Sequence, residues 1–392
     1  MILLILLEKQ RRDKKTEIHY MKTKTNKQVI KALTPKIKTY NPTLWLPGSF
    51  LKIIYMSQRP LLSFLEMYIR RKFKLRDGGK VAVDCYPKNF EQMNEDTPIV
   101  LFVPGVNGDS TEYYCTYFCR LVKEHHVVWR FAIFNRRGYA GVPFKGKRFG
   151  FDAHEDINEV IEAFSKEYPK ANIYIVALSL GGANTMKCLE IYGKRVKVKA
   201  VTAIATPWNF RVGSTTLIEN QFFDRALTSR VVEVHRKHLH EPYFLKLLKS
   251  KKIAPTAYNE IESKHDLDRL IMAVDAGQQD LESYNDYMST DKGVAEIRVP
   301  FLSIHSKDDL LSPFAGVPVQ EVVDNGRGIQ IATNGGGHVS FFSGLGAKMW
   351  GLELAFEYFR LFEEGLVSYE GNQGLESSPV FDRLKGSGDD EI

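Results

Sequence analysis

The chain has 392 residues, of which 44% are hydrophobic and 26% are charged. This length exceeds the usual size of one domain, so it fits either one large domain with insertions or two smaller ones. The apolar content excludes wholesale disorder. Four cysteines are too few and too scattered for a disulfide framework in a chain of this size, which indicates a reducing compartment.

The net charge of +7 is distributed unevenly along the chain. Residues 1–76 hold 18 of the 54 Lys and Arg residues but only 4 of the 47 Asp and Glu residues, so the rest of the chain is mildly acidic. A nucleic-acid-binding domain needs its basic residues on a folded face, together with stacking aromatic residues. Here the excess lies ahead of the globular region, and we expect no nucleic-acid partner.

The first 76 residues divide into two predicted parts. Residues 1–40 are basic and lack a sustained period, which predicts a flexible leader, and residues 41–76 form an apolar and basic segment. No convincing signal peptide is present, and no stretch reaches the roughly 18 apolar residues of a transmembrane helix. We expect an intracellular protein, cytoplasmic or peripheral on a membrane, whose first 76 residues contact an anionic lipid surface. The alternative is that residues 43–69 pack on the folded domain.

Short apolar runs recur from residue 80 onwards and are typical of strands buried on both faces. The predicted strands are residues 81–86, 99–103, 127–134, 173–178, 201–205, 301–305 and 329–332. Stretches with helical spacing of apolar residues lie between them, as at 153–164 and 182–192, and one follows the last strand at 347–362. Alternating strands and helices predict an α/β fold with a mostly parallel, doubly wound sheet.

The alternation is interrupted once and then resumes. Residues 208–290 are rich in Phe, Tyr, His and Lys and have the character of helices, so we interpret them as an inserted helical cap. The core is accordingly predicted to consist of residues 77–207 and 291–366. Residues 367–392 are rich in Gly, Ser and charge, which predicts a disordered tail.

The strongest chemical signal is Ser179, which lies between a predicted buried strand and a predicted helix. A nucleophile elbow needs this context, because the tight turn requires small residues two positions before and two after the serine. Gly181 meets this demand, and Ala177 nearly does where glycine is usual. The alternative is a serine that merely caps a helix after an ordinary strand.

A serine nucleophile needs a base and an acid that orients the base, and in this architecture they follow in the order acid, then histidine. Asp308 and Asp309 follow the predicted strand 301–305, and three glycines and His338 follow the next predicted strand. Carboxyl ends of parallel strands meet at one edge of the sheet, so these side chains are expected to lie close to Ser179. Either carboxylate could be the acid. We favour Asp309 because Pro313 follows it by four residues, which resembles the spacing in the acid loop of related hydrolases, and Asp308 remains the alternative.

Two backbone amides are expected to stabilise the negative charge that develops on the carbonyl oxygen of a bound ester. We expect these amides to be those of Val106, in the glycine-containing loop after strand 99–103, and Leu180, at the start of the helix after Ser179. The alternative is that the glycines at 105 and 108 only shape a loop.

Three other patterns indicate structure rather than chemistry. Residues 141–148 resemble a phosphate-binding loop, but Arg148 replaces the hydroxyl residue that would hold Mg²⁺. The histidines at 235, 238 and 240 have basic neighbours and favour a solvated face over a zinc site. Cys115 and Cys119 are one helical turn apart and favour packing, because no second cysteine pair completes a metal site.

From about Asn41 to Phe362 the chain resembles the α/β-hydrolase domain-containing acyl-ester hydrolases. These include animal members resembling phospholipases and monoacylglycerol lipases, and fungal medium-chain ethyl-ester synthase/esterases. The resemblance is carried by residues 41–48, 104–108, 134–138, the segment around Ser179, residues 308–309 and residues 336–338. It implies an α/β-hydrolase fold with Ser179 as nucleophile, Asp309 as acid and His338 as base. Ala177 departs from the family pattern, and so does the lack of the N-terminal membrane anchor that animal members often carry.

These observations predict a serine esterase or lipase that cleaves lipid-like carboxylic esters and needs no metal or organic cofactor. Transfer of the acyl group to an alcohol would use the same residues. The rival hypothesis is a non-catalytic scaffold of the same fold that binds a lipid or a protein partner.

Overall fold

The computed structural model of the chain describes residues 16–57 and 68–369. The predictions for residues 1–15, 58–67 and 370–392 fall outside these ranges. The prediction that 367–392 is a disordered tail is wrong for its first residues, because the Tyr369 ring stacks on that of Phe362 with centroids 6.1 Å apart. The Tyr369 hydroxyl also donates a hydrogen bond to Asn26 Oδ1 at 2.6 Å.

A nine-stranded sheet forms the centre of the molecule, in the order β1-β9-β8-β7-β6-β4-β5-β3-β2. The neighbouring strands from β5 to β9 in this order pair in parallel, and β1, β2 and β3 pair antiparallel at the two ends. The strands are β1 Glu17–Tyr20, β2 Ile69–Lys74, β3 Lys80–Tyr86, β4 Ile99–Val103, β5 Arg130–Asn135, β6 Ile173–Leu178, β7 Ala200–Ile204, β8 Phe301–Ser306 and β9 Gly328–Thr333. A small hairpin joins β10 Phe342–Ser343 to β11 Lys348–Met349.

The α-helices surround this sheet or form the cap. They are α1 Lys24–Lys38, α2 Gly48–Ser57, α3 Tyr113–Glu124, α4 His154–Glu167, α5 Leu180–Tyr192, α6 Phe210–Glu219, α7 Gln221–His238, α8 Pro242–Ser250, α9 Lys264–Leu267, α10 Ala273–Asp275, α11 Leu281–Met288, α12 Val319–Asp324 and α13 Trp350–Glu363. A π-helical turn, Asp268–Met272, joins α9 to α10. Single 3₁₀ turns lie at Phe90–Gln92, Gly193–Arg195, Pro255–Asn259, Val294–Glu296 and Phe314–Gly316.

The central strands are apolar along their whole length because both faces of the sheet are covered. In β6, Tyr174 and Val176 belong to the hydrophobic cluster on one face, whereas Ile173 and Ile175 belong to the cluster on the other face. Successive side chains of a strand point to opposite faces, so a strand between two helical layers buries every residue. The predicted α/β fold class is therefore confirmed.

The prediction of a flexible leader is wrong for residues 16–40. β1 pairs antiparallel with β9 at the edge of the sheet, and α1 buries Val29, Leu33 and Ile37 in the main hydrophobic cluster. Each of these three residues follows the previous one by four positions, so together they form one apolar stripe along a helix that is otherwise rich in lysine. The side chain of Thr23 caps the helix by accepting a hydrogen bond from the Asn26 amide at 3.1 Å.

The chain between β7 and β8 folds into helices α6 to α11, which lie over the carboxyl ends of the parallel strands. A third hydrophobic cluster joins these helices to the core through Phe144, Phe149 and Leu180. Hydrogen bonds cross the same boundary, since the Phe149 amide donates to Asp275 Oδ2 at 2.9 Å. The helical segment and the sheet edge thus enclose a space in front of Ser179.

Candidate active site

Ser179 lies in a strained turn between β6 and α5. Its backbone has φ 52° and ψ −124°, a conformation that costs a non-glycine residue on the order of 1–3 kcal/mol. A Cβ added to Gly181 would lie 2.4 Å from the carbonyl oxygens of both Val103 and Pro104, so no larger residue fits two positions after the serine. Ala177 is fully buried in β6, and its methyl group is accommodated there. The departure from the usual glycine therefore leaves the turn intact.

The imidazole of His338 lies between Ser179 and Asp309. Its Nε2 is 2.7 Å from Ser179 Oγ, and its Nδ1 is 2.9 Å from Asp309 Oδ2 and 3.1 Å from Oδ1. A carboxylate can only accept, so Nδ1 carries the proton and Nε2 is free to accept the serine proton. The three residues that the sequence predicts to work together are thus in hydrogen-bond contact.

The carboxylate of Asp309 is fully buried and has two backbone partners in addition to His338. Its Oδ1 accepts hydrogen bonds from the backbone amides of Leu311 at 2.8 Å and Ser312 at 2.9 Å. A buried carboxylate with such partners keeps one orientation.

Asp308 does not touch the imidazole and instead binds the loop that carries it. Its Oδ1 accepts hydrogen bonds from the amides of Gly336 at 3.0 Å and Gly337 at 2.8 Å, and another from the Ser306 hydroxyl. Ser306 Oγ also accepts from the Gly336 amide at 2.6 Å. Asp308 therefore fixes the backbone immediately before His338.

The residues proposed to supply the two backbone amides, Val106 and Leu180, lie beside Ser179 in the wall of one cavity. Leu180 is the first residue of α5, where backbone amides have no partner within the helix and the helix dipole favours negative charge. Gly105 allows the loop to approach closely, because a Cβ added to it would lie 3.3 Å from Ser179 Cβ.

Arg136 is a site residue to which the sequence analysis gave no role. Its guanidinium is buried and donates to the carbonyl oxygens of Gly105 and, at 3.3 Å, Pro104. Burial lowers the pKa of this arginine, and the face of the Tyr139 ring lies 5.2 Å from it. Residues 134–138, which include Arg136, are one of the motifs that carry the family resemblance. The sequence does not show, however, that the Arg136 side chain binds the loop that contains Val106.

The cavity in front of Ser179 has predominantly apolar walls. Its lining residues are Val106, Phe151, Ser179, Leu180, Pro207, Phe210, Gly213, Ser214, Leu217, Leu227, Lys264, Leu311, Ser312 and His338. Lys264 is the one Lys, Arg, Asp or Glu residue among them, and its ammonium group pairs with Asp268 inside the cap. Six of these fourteen residues lie in the cap helices α6, α7 and α9.

The structure resolves the other patterns as packing. The prediction of a solvated histidine face is wrong for His235, which is buried and packs edge-on against Phe144 with ring centroids 4.8 Å apart. Burial lowers the pKa of His235 to about 3, so it is neutral at physiological pH. Cys115 and Cys119 are buried thiols. Within residues 16–57 and 68–369, no three His, Cys, Asp or Glu side chains are grouped so that they could hold a metal ion.

Comparison with known proteins identifies the family. A family profile described as "alpha/beta hydrolase fold" matches residues 98–345, which include Ser179, Asp309 and His338. The chain belongs to the α/β-hydrolase family. The resemblance inferred from the sequence motifs is therefore confirmed.

Two relatives and one solved structure are similar to this chain. Phospholipase ABHD3 of Bos taurus is 26% identical over 79% of this chain and 74% of its own length. Monoacylglycerol lipase of Saccharomyces cerevisiae is 23% identical over 72% of this chain and 64% of its own length. An acylaminoacyl peptidase of Pyrococcus horikoshii has a TM-score of 0.49 and 16% identity, over 83% of this chain and 44% of its own. The relatives named as lipid hydrolases support hydrolysis as the general activity of this α/β-hydrolase.

Among the residues that the structure describes, no helix is both long enough and apolar enough to span a bilayer.

Proposed function

We propose that this α/β-hydrolase is a serine carboxylic ester hydrolase with Ser179 as nucleophile, His338 as base and Asp309 as orienting acid. The observation that carries the proposal is the continuous contact from Ser179 Oγ through the imidazole to Asp309, at 2.7 Å and 2.9 Å. This contact lies at a strained turn that faces an apolar cavity. Nucleophile, base and orienting group in this arrangement are what acyl transfer requires.

In the first half of the reaction, Ser179 Oγ attacks the ester carbonyl carbon while His338 Nε2 takes the serine proton. Asp309 stabilises the imidazolium that forms, and the amides of Val106 and Leu180 donate hydrogen bonds to the carbonyl oxygen as it becomes negative. The bond to the leaving oxygen then breaks, and His338 returns the proton to the departing alcohol. The acyl group remains on Ser179 as an ester.

In the second half, a water molecule gives a proton to His338 and attacks the acyl carbon. The bond between the acyl carbon and Ser179 Oγ then breaks, the carboxylic acid leaves, and His338 returns the proton to Ser179 Oγ. An alcohol in place of water would yield a new ester by the same steps, so the acceptor that reaches the acyl-enzyme decides between hydrolysis and transfer. No step uses a metal or an organic cofactor.

The cavity favours lipid-like esters as the substrate class. Phe151, Phe210, Leu217 and Leu227 provide an apolar wall next to Ser179, which suits an acyl chain more than a charged group. The names of the relatives, a phospholipase and a monoacylglycerol lipase, agree with esters of this kind.

Labelling with a fluorophosphonate probe tests the proposal, because only an activated serine reacts rapidly with it. We expect one labelled site in the wild-type protein, no labelling in Ser179→Ala, and retained labelling of Ser179 in Ser214→Ala, the matched change of another hydroxyl that lines the cavity. Absence of labelling in the folded wild-type protein would favour the non-catalytic scaffold instead.

A further inference from the structure

A group of large apolar side chains is exposed beside the cavity. Between 43% and 79% of each of these residues is exposed to solvent, although all are large and apolar. We call them the apolar rim, which consists of Trp45, Phe50, Leu51, Ile218, Phe222 and Leu345. Contiguous apolar surface of this kind marks an interaction site more often than single exposed residues do.

The apolar rim is one surface built from three parts of the chain. The Phe50 ring, in α2, contacts that of Phe222, in α7, with ring centroids 5.5 Å apart. Trp45 Nε1 donates a hydrogen bond to the carbonyl oxygen of Leu345, between β10 and β11, at 3.0 Å. Segments distant in sequence thus bring their apolar side chains together on the outside of the protein.

The apolar rim adjoins the wall of the Ser179 cavity. Leu217, in α6, lines the cavity, and the next residue, Ile218, belongs to the rim. Leu227, in α7, also lines the cavity one helical turn beyond the buried Phe223, which contacts Phe50 at 5.5 Å between ring centroids. The same two helices therefore present one side to the substrate space and another to the outside.

The charges around the rim favour an anionic partner. Residues 38–57, which lead into the rim, contain two lysines and no acidic residue. Of these two lysines, Lys38, at the end of α1, is exposed. Near the other parts of the rim, Arg225 and Lys348 are exposed and outnumber the exposed Glu219.

We propose that the apolar rim docks the protein on the surface of an anionic lipid bilayer, which brings the cavity next to its lipid substrate. The inference rests on the proposed function for the lipid-like substrate. Phe and Leu side chains enter the interfacial layer of a bilayer readily, Trp prefers that layer, and nearby lysines are attracted to anionic headgroups. Shallow docking requires no spanning segment.

Vesicle sedimentation of the full-length chain tests the proposal. The test variant is Ile218→Ser combined with Phe222→Ser, because both side chains are more than half exposed and neither lines the cavity. The control is Val128→Ser, a 69% exposed residue before β5, at the edge of the sheet opposite Ser179. Deletion of residues 1–60 is a poorer test, since it also removes β1 and the buried side of α1.

We expect wild type and Val128→Ser to sediment with vesicles of phosphatidylcholine and phosphatidylserine at low salt, with partial release at high salt. The double variant should lose at least about tenfold in vesicle partitioning, because two apolar side chains no longer leave water. Its turnover of a soluble short-chain ester should equal that of wild type.

Vesicle binding by the double variant equal to that of wild type would overturn the docking surface, and so would a lack of vesicle binding by wild type. A wild-type dimer that dissociates in the double variant would assign the rim to a second copy of the chain and would also overturn the proposal. Failure of the proposed function is distinguishable, because a protein that binds vesicles through the rim but turns over no ester contradicts only the hydrolase activity.

Discussion

Asp308 and Asp309 are adjacent in the chain, yet they hold different parts of the loop that carries His338. Asp309 Oδ2 is 2.9 Å from the imidazole Nδ1, whereas Asp308 Oδ1 binds the amides of Gly336 and Gly337. The backbone and the side chain of the base are thus positioned by neighbouring carboxylates at the end of β8. The two residues should differ sharply in their effect on catalysis.

We predict that Asp309→Asn lowers kcat by about 10⁴-fold, because an amide does not stabilise the imidazolium or select its tautomer. Asp308→Asn keeps an oxygen that can accept from the two glycine amides, so it should cost about tenfold or less. Steady-state kinetics with a soluble ester compares the two variants. A larger loss in Asp308→Asn would transfer the acid role to Asp308.

Ser179→Ala and His338→Ala should each reduce kcat by on the order of 10⁴- to 10⁶-fold, because the members of a triad act as a unit. Neither change removes core packing, so circular dichroism and the melting temperature should stay near those of wild type. Retention of more than about a tenth of the activity would contradict the assignment.

Gly181→Ala should destabilise the protein and reduce its activity. The added Cβ would meet the carbonyl oxygens of Val103 and Pro104 at 2.4 Å, which forces the loop that carries Val106 to move. We expect a loss of about 1–3 kcal/mol in the free energy of unfolding. Gly346→Ala is the matched control, since a Cβ there meets no atom within 4 Å. Equal stability of the two variants would show that the turn is less constrained than the structure indicates.

His235 should make the stability of the protein depend on pH. Its pKa is about 3 in the folded protein, below the ordinary value of 6.5, so between these values the unfolded chain binds more protons. The stabilisation is complete above about pH 6.5 and decreases by about 1.4 kcal/mol per pH unit as the pH falls towards 3. In urea unfolding, His235→Gln should therefore show a flatter dependence on pH between 6 and 4. The exposed His240→Gln should keep the wild-type slope, and the same slope in both variants would contradict the prediction.

The sequence was most informative where both faces of a strand are covered, because such strands are continuous apolar runs. The predicted strands 99–103 and 173–178 have the bounds of β4 and β6. The prediction of a strand at 127–134 begins too early, because Val128 is apolar but exposed and β5 starts only at Arg130. The helix at residues 24–38 was not predicted, because the segment is rich in lysine and only three apolar residues form its buried stripe.

The candidate site was predictable as a set of residues but not as a set of contacts. The order of Ser179, Asp309 and His338 follows from strand ends that meet at one edge of the sheet. The choice between the two aspartates depends on where their carboxylates point. The hydrogen bond from Arg136 to the Gly105 carbonyl oxygen depends on a long side chain that reaches from one loop to another. Neither property has a period or a spacing that a sequence displays.

The pairing of β1 with β9 has a practical consequence for shortened forms of the protein. The family profile begins at residue 98, which invites removal of everything before it. Such a protein would leave one edge of β9, the edge that does not face β8, unpaired and ready to pair with another chain, which promotes aggregation. It would also lose Tyr40, whose hydroxyl donates to the carbonyl oxygen of Gly335, three residues before His338. An insoluble or inactive fragment would thus reflect a lost edge strand and a loosened histidine loop rather than a lack of catalytic residues.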